Sequence, residues 1–275
     1  MYNKNMETYD QLHFYDNLFC HGVTCAQKGA YISEHVHTNY EIMLFVSGNC
    51  EYVVENQRFS LKPYTLIVTQ PLKYHFLYFL NDESCFERYY VQFDGGEFGE
   101  KLQRLLSTTN AVKILDKNDR ICAIFKSIKE YSKTFPSDDY PELYKGLLCE
   151  LVHLSCVEDK NKDTLAITEA DDVTANALRY IERHLTEPLS IEIIADALFV
   201  STSLLCHKFS AHMHTGVMNY VKTKRAHFAN KLLKKGVKPT EVAERCGYNE
   251  YSSFYRVYKE IFGIGPKEAN RKSIN

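Results

Sequence analysis

Four side chains in the first third of the chain can do chemistry together: His35, His37, Glu41 and His75. Residues two apart in an extended segment share a face, so His35 and His37 point the same way. Imidazole together with carboxylate suits a divalent metal. With Tyr40 beside them, the same groups offer several donors and acceptors to a polar ligand, and a hydrogen-bonding pocket without metal is the preferred reading. A second polar set stands far along the chain: Thr202, Ser203, Cys206, His207 and Lys208, then Glu250, Tyr251, Ser252, Tyr255 and Arg256. The forked guanidinium of Arg256 suits bidentate contact with a base edge. No Ser-His-Asp arrangement or Gly-rich phosphate loop is evident, so no catalytic residue and no cofactor is assigned.

The elements that must position the second set repeat. Ile194-Ala195, Ser201, Leu205, Phe209 and Gly216 are echoed by Val242-Ala243, Asn249, Phe254, Tyr258 and Gly263. Ala195 and Ala243 are 48 residues apart, and Phe209 and Tyr258 are 49 apart. Self-similarity at a fixed period marks a repeated supersecondary unit. Ser190 and Ser201 suit N-caps in the first copy, Pro239 a first helical turn and Asn249 an N-cap in the second. Gly247 makes the second turn and Phe199-Val200 the first. Each copy reads as helix, short turn, helix, with Val217 to Lys235 a long helix between them that ends at Gly236. Leu205, Phe209, Phe254 and Tyr258 face inward. The polar set named above therefore faces outward, where a major groove would lie.

These residues resemble the AraC/XylS DNA-binding domain. Ala195, Ser201, Leu205, Phe209, Gly216, Tyr220, Arg225 and Leu232-Leu233 look like its first half. Cys246-Gly247-Tyr248, Ser252, Phe254, Arg256, Tyr258-Lys259, Gly263 and Pro266 resemble its second-half signature. His207 stands where that family usually has Arg, and Ala269-Asn270 where Tyr-Arg is common. A neutral imidazole in place of a charged fork implies that the first unit reads its half-site less sharply than the second. Among Lys222, Lys224 and Arg225 at least one is expected to contact phosphate. His212 and His214 are expected to face solvent.

Residues 1 to about 95 read as strands, with Tyr40–Val46, Cys50–Val54, Thr65–Thr69 and Arg88–Phe93 the clearest runs. Many short strands with close turns favour a small antiparallel barrel. Gly29, His35, His37, Glu41 and Gly48 match the spacing of the first cupin motif, Gly-x5-His-x-His-x3-Glu-x6-Gly. The second cupin motif keeps Pro63, Pro71 and His75, with Tyr64 where glycine is usual. In metal cupins the positions matching His35, His37, Glu41 and His75 bind a divalent ion. Regulators of the AraC type with a His-x-His-x-x-Tyr-Glu stretch look instead like sensors of a sugar or other small metabolite. From about Gly95 to Glu158 two helical stripes follow: Ile121, Ile124, Phe125, Ile128 and Tyr131, then Tyr140, Leu143, Leu147, Leu148, Leu151 and Leu154. They resemble that family's dimerisation unit, and on periodicity alone capping the barrel is an equal reading.

Charge supports the division. Residues 171–275 carry 16 Lys+Arg against 11 Asp+Glu, and residues 1–170 carry 17 against 24. The basic partner surface therefore belongs to the C-terminal part. Nine cysteines without a CxxC pair read as reduced thiols in a cytoplasm. The start of the chain is no signal peptide, and no apolar run is long enough for a bilayer. The expected fold is α+β: a cupin-like domain over 1–160 (barrel about 1–95, helices about 96–158), a linker over 161–172, and an all-α double helix-turn-helix over 173–275. The expected function is a cytoplasmic, dimeric transcription regulator that binds double-stranded DNA and a small-molecule effector, a carbohydrate or related metabolite. RNA polymerase is a further partner of such an activator. A metal-dependent cupin enzyme and a constitutive DNA-binding protein whose cupin only dimerises remain alternatives.

Overall fold

The run Tyr40–Ser47 is apolar at successive positions rather than alternate ones, which requires cover on both faces. The structure, a computed structural model, supplies that cover. It describes the chain except residues 1–5, 15–16, 27–30, 81–83, 109–111, 118, 135–139, 157–166, 170 and 273–275. Gly29 and most of the expected linker lie outside the described residues. Two units emerge, with the main boundary between Ile167 and Thr168.

The first unit holds strands β1 (Met6–Phe14), β2 (Asn17–Ala26), β3 (Tyr31–His35), β4 (Tyr40–Ser47), β5 (Cys50–Val54), β6 (Gln57–Ser60), β7 (Thr65–Thr69), β8 (His75–Phe79), β9 (Ser84–Phe93) and β10 (Val112–Ile114). Helices α1 (Glu100–Thr108), α2 (Arg120–Thr134) and α3 (Tyr140–Cys156) complete it. One sheet runs β1-β2-β9-β4-β7-β10, and the other carries β6, β5, β8 and β3 in that order. The pairings β1–β2, β2–β9, β9–β4 and β4–β7 are antiparallel. Met43, Phe45, Tyr52, Phe59, Ile67, Leu77, Phe79 and Phe86 form one buried cluster between the sheets. Ile42, Leu44, Leu66, Val68, Val91 and Phe93 face the opposite way, under Ile121, Ile124, Phe125 and Ile128 of α2 and Tyr144, Leu148, Leu151 and Val152 of α3. Strands β4, β7 and β9 are thus buried on both faces, and each fully buried Phe or Leu contributes about 1.5–3 kcal/mol.

The α2 stripe matches the expected one. On α3 the buried face is Tyr144, Leu148, Leu151 and Val152, whereas Leu143 is 40% exposed. Arg120 Nε and Nη2 donate to Glu150 at 2.8 and 2.7 Å and tie α2 to α3 across an exposed edge. The reduced-thiol expectation is corrected in part. Register places Cys25 of β2 opposite Cys85 of β9, and the two form a disulfide, while seven other cysteines are free.

The second unit contains α4 (Asp172–Arg183), α5 (Ile191–Ala197), α6 (Thr202–Met213), α7 (Val217–Lys234), α8 (Pro239–Arg245), α9 (Tyr251–Phe262) and α10 (Pro266–Lys272). Ser190 and Ser201 accept from the amides of Ile193 and Leu204, and each such cap stabilises its helix by about 1 kcal/mol. Asn249 is not the cap of α9: that position is Glu250, without a side-chain cap hydrogen bond. The repeat extends to backbone dihedrals. Phe199 and Gly247 occupy equivalent turns with φ of 57° and 76°, and His214 and Gly263 equivalent helix ends with φ of 53° and 71°. Phe199 is 96% exposed and bears the local backbone cost of a positive φ itself. A Cβ on Gly247 would lie 2.7 Å from Thr186 O and 2.9 Å from Arg225 Nη2, so that copy needs glycine. No single described helix is long and apolar enough to cross a membrane.

Candidate functional site

Helices α6 and α9 bury Leu205, Phe209 and Met213, and Phe254, Val257 and Tyr258, respectively. Their other faces carry the expected polar set. Thr202, Ser203 and His207 are exposed, and Cys206 and Lys208 are half-buried. Glu250, Ser252, Tyr255 and Arg256 are exposed, while Tyr251 is half-buried with its ring against Phe254. Phe209 meets Tyr220 edge-on at 5.5 Å in the first half, and Val242, Ala243, Phe254 and Tyr258 pack with Ala229, Leu233 and Ala269 in the second. Ala269-Asn270 has a positive role here. Ala269 fits the core, and Asn270 Nδ2 donates to Leu233 O and Val237 O at the end of α7.

The three α7 cations Lys222, Lys224 and Arg225 separate. Lys222 is exposed and available to a phosphate, whereas Lys224 and Arg225 are buried at 4% and 8% exposure. Arg225 donates to Leu185 O at 2.8 Å, to Gly247 O at 3.1 Å and to Glu187 O, and its guanidinium lies 5.7 Å from the Tyr248 ring centre. Its role is to join the two halves, because a planar fork can satisfy three carbonyls from two loops. Burial lowers its pKa from the usual arginine value. His212 and His214 are half-buried, not solvent-facing. Burial lowers the pKa of both.

His37, Glu41 and His75 converge: one ligand atom from each lies within 4.8 Å of the others. Glu41 and His75 are 2% and 1% exposed. Gln92 Nε2 donates to Glu41 Oε2 at 2.9 Å. His75 Nδ1 lies 2.8 Å from Lys73 O, which can only accept, so Nδ1 carries the proton and Nε2 is the nitrogen turned to Glu41 Oε1 at 3.8 Å. Glu41 Oε1 and His75 Nε2 therefore face one another, an arrangement that a proton or a cation between them would stabilise. The donor set, two imidazoles and a carboxylate with one imidazole anchored to a backbone carbonyl, fits a divalent ion. The side chain of His35, at the end of β3, lies outside the described residues.

Tyr40 does not join this group. It is next to Glu41 on β4, so it points to the opposite face, where its ring stacks on Phe93 at 5.8 Å. Burial, then the neighbouring Cys156 and Asp94, raise its pKa. Sequence reasoning overlooked Tyr52, Thr69, Arg88, Tyr90 and Gln92. Tyr52 hydrogen-bonds Thr69 at 2.7 Å and its ring lies 5.8 Å from that of His75. Burial and then the Glu41 charge push its phenol well above the usual range. Alternation along β9, with Phe86, Arg88, Tyr90 and Gln92 on the face shared with Glu41 and Met43, was the signal that would have found three of them.

Comparison with known proteins agrees with this division. The family model described as the AraC-like ligand binding domain matches residues 19–150, and a helix-turn-helix domain model matches residues 194–272. The chain is 25% identical over 189 residues to the regulatory protein PocR of Salmonella typhimurium, covering 62% of each. It is 31% identical over 88 residues to the probable transcriptional regulator LumQ of Photobacterium leiognathi, covering 32% of this chain and 36% of that one. These matches span less than two thirds of either relative. Among solved structures, ToxT from Vibrio cholerae aligns over 92% of this chain and 97% of its own with 15% identity and a TM-score of 0.38. With a ligand-binding domain of AraC type followed by its helix-turn-helix partner, the chain belongs to the AraC family of DNA-binding transcriptional regulators.

Proposed function

We propose that the exposed faces of α6 and α9 read two segments of an operator while a polar effector, a sugar or related metabolite, binds between the sheets of the first unit. The observation that carries this reading is the split in where polar groups lie. In the helical unit they stand on the surface of two equivalent helices, and in the barrel they converge inside, at His37, Glu41 and His75. A hydroxyl buried without a partner loses about 1–3 kcal/mol, so a polyhydroxy ligand needs an interior supplied with donors and acceptors. No catalytic step is assigned to this interior.

To regulate, the effector must bind one arrangement of the protein better than another, and the α2–α3 layer on the barrel is the proposed relay and dimer surface. The protein acts in the cytoplasm, where its DNA is, as a homodimeric activator with RNA polymerase as partner. DNA-binding titrations of the full chain with candidate sugars, alone and with Glu41→Gln and His37→Ala, test it. The variants should lose the effector response and keep basal DNA affinity. A response that survives both substitutions contradicts the reading.

A second reading has its own observation, the three-ligand convergence with Nε2 of His75 turned to Glu41. Here a divalent ion occupies the group and supplies a Lewis-acidic point for an oxygen of the effector. Metal content of protein purified without chelator, followed by chelation, separates the two. Stoichiometric metal whose removal alone abolishes the response favours the ion.

A further inference from the structure

Among the described residues, none supplies the guanidinium of Arg88 with an anion. Its residue is 7% exposed on the inner face of β9. Its Nη1 approaches only the thioether of Met43, at 3.9 Å, and thioether sulfur is a weak acceptor. Its Nε is buried without a hydrogen-bond partner. The rings of Tyr90 and Phe86 lie 4.8 and 5.5 Å from its guanidinium carbon, which gives attraction but no acceptor for the fork. Among the described residues no carboxylate is within ion-pair distance of it. Glu41, on the neighbouring strand, is engaged by Gln92 and faces His75. The other titratable neighbours stay neutral, since burial pushes the Cys50 thiol up to about 12 and the Tyr90 phenol above its ordinary range despite the Arg88 charge.

A buried charge is ordinarily paired or bound to something. We propose that the missing partner is the effector, and that it carries a carboxylate which takes the open Nε edge of Arg88 as a paired contact. The setting favours one negative charge over two, because the one guanidinium of Arg88 would leave a phosphate dianion partly uncompensated. This proposal rests on the sensor reading above and narrows its metabolite to an acid, with polar oxygens toward His37, Glu41 and His75 and the acid toward Arg88.

The test is thermal melting of the full chain with three acids, glucuronate, lactate and benzoate, each set against its amide. The amides share shape and lack the charge. At saturation at least one acid should raise the melting temperature of the wild type by about 3 °C or more, its amide should not, and Arg88→Met should abolish the difference. Equal behaviour of every acid and its amide on the wild type overturns the proposal, and needs no variant to be folded. So does an acid effect that persists in Arg88→Met. A neutral sugar that stabilises wild type and Arg88→Met alike would overturn the acid assignment and leave the sensor reading standing.

Discussion

Two buried arginines, one in each unit, are treated in opposite ways. Arg225 meets three backbone carbonyls and an aromatic face, so its donors are satisfied within the fold. Arg88 meets a sulfur and two rings, with its Nε left over. The first is a fastener, since its acceptors come from loops that would otherwise separate. The second holds a charge that the fold alone does not require. The helical unit keeps its chemistry on the surface and its interior closed, while the barrel keeps its chemistry inside.

The largest expected effect breaks the fastener. Arg225→Met leaves three carbonyls of buried loops without their donor and should destabilise the helical unit by about 3–5 kcal/mol, seen as a lower denaturant midpoint. Arg88→Met should go the other way or stay neutral in the absence of ligand, because it removes an unpaired buried charge. Equal losses in both variants would erase the distinction drawn here. A smaller effect tests the turn: Gly247→Ala meets the Thr186 carbonyl and a positive φ, and should cost more stability than Phe199→Gly, which relieves the same conformation in the other copy.

Smaller again is the readout by the first copy. His207→Ala should change operator preference less than Arg256→Ala on the same site, as a neutral imidazole reads less sharply than a guanidinium. A greater loss at His207 would reverse the ranking of the two helices. Smallest is the exposed Arg120–Glu150 pair, whose hydrogen bonds hold the Glu150 carboxyl below its usual pKa. Its folded pKa is depressed, so the contribution is present above the ordinary carboxylate range and lost as pH falls through the lowered value. Solvent screening keeps it slight, and Glu150→Gln should give no resolvable shift in melting temperature at neutral pH.

The two units also differ in how much of them could be read from residues alone. The helical unit announced itself because caps, turns and the 3.6-residue period repeat together, and Ser190, Ser201, Pro239 and Gly247 all sit where that pattern puts them. Asn249 failed as a cap because the chain enters α9 one residue later, at Glu250, and a one-residue shift at a helix start leaves the periodicity unchanged. The barrel's strands β4, β5, β7 and β9 were legible from β-branched and aromatic runs. The faces of β4 and β7 were not, because strands buried on both sides lack alternation. Tyr40 was therefore grouped with Glu41 although neighbours on a strand must diverge, and Arg88 passed unnoticed. Cys25–Cys85 was hidden for another reason: its partners are 60 residues apart and meet only through the β2–β9 register.

Selection of binding sites from randomised DNA by the full chain, wild type against Arg256→Ala, tests the central claim most directly. If α9 lies in a major groove with Arg256 on a guanine, the wild type selects one defined motif. The variant then loses preference at a single base pair by about 1–3 kcal/mol while the remaining positions hold. An identical motif from both proteins, or a uniform loss of affinity with no change in preference, would contradict it.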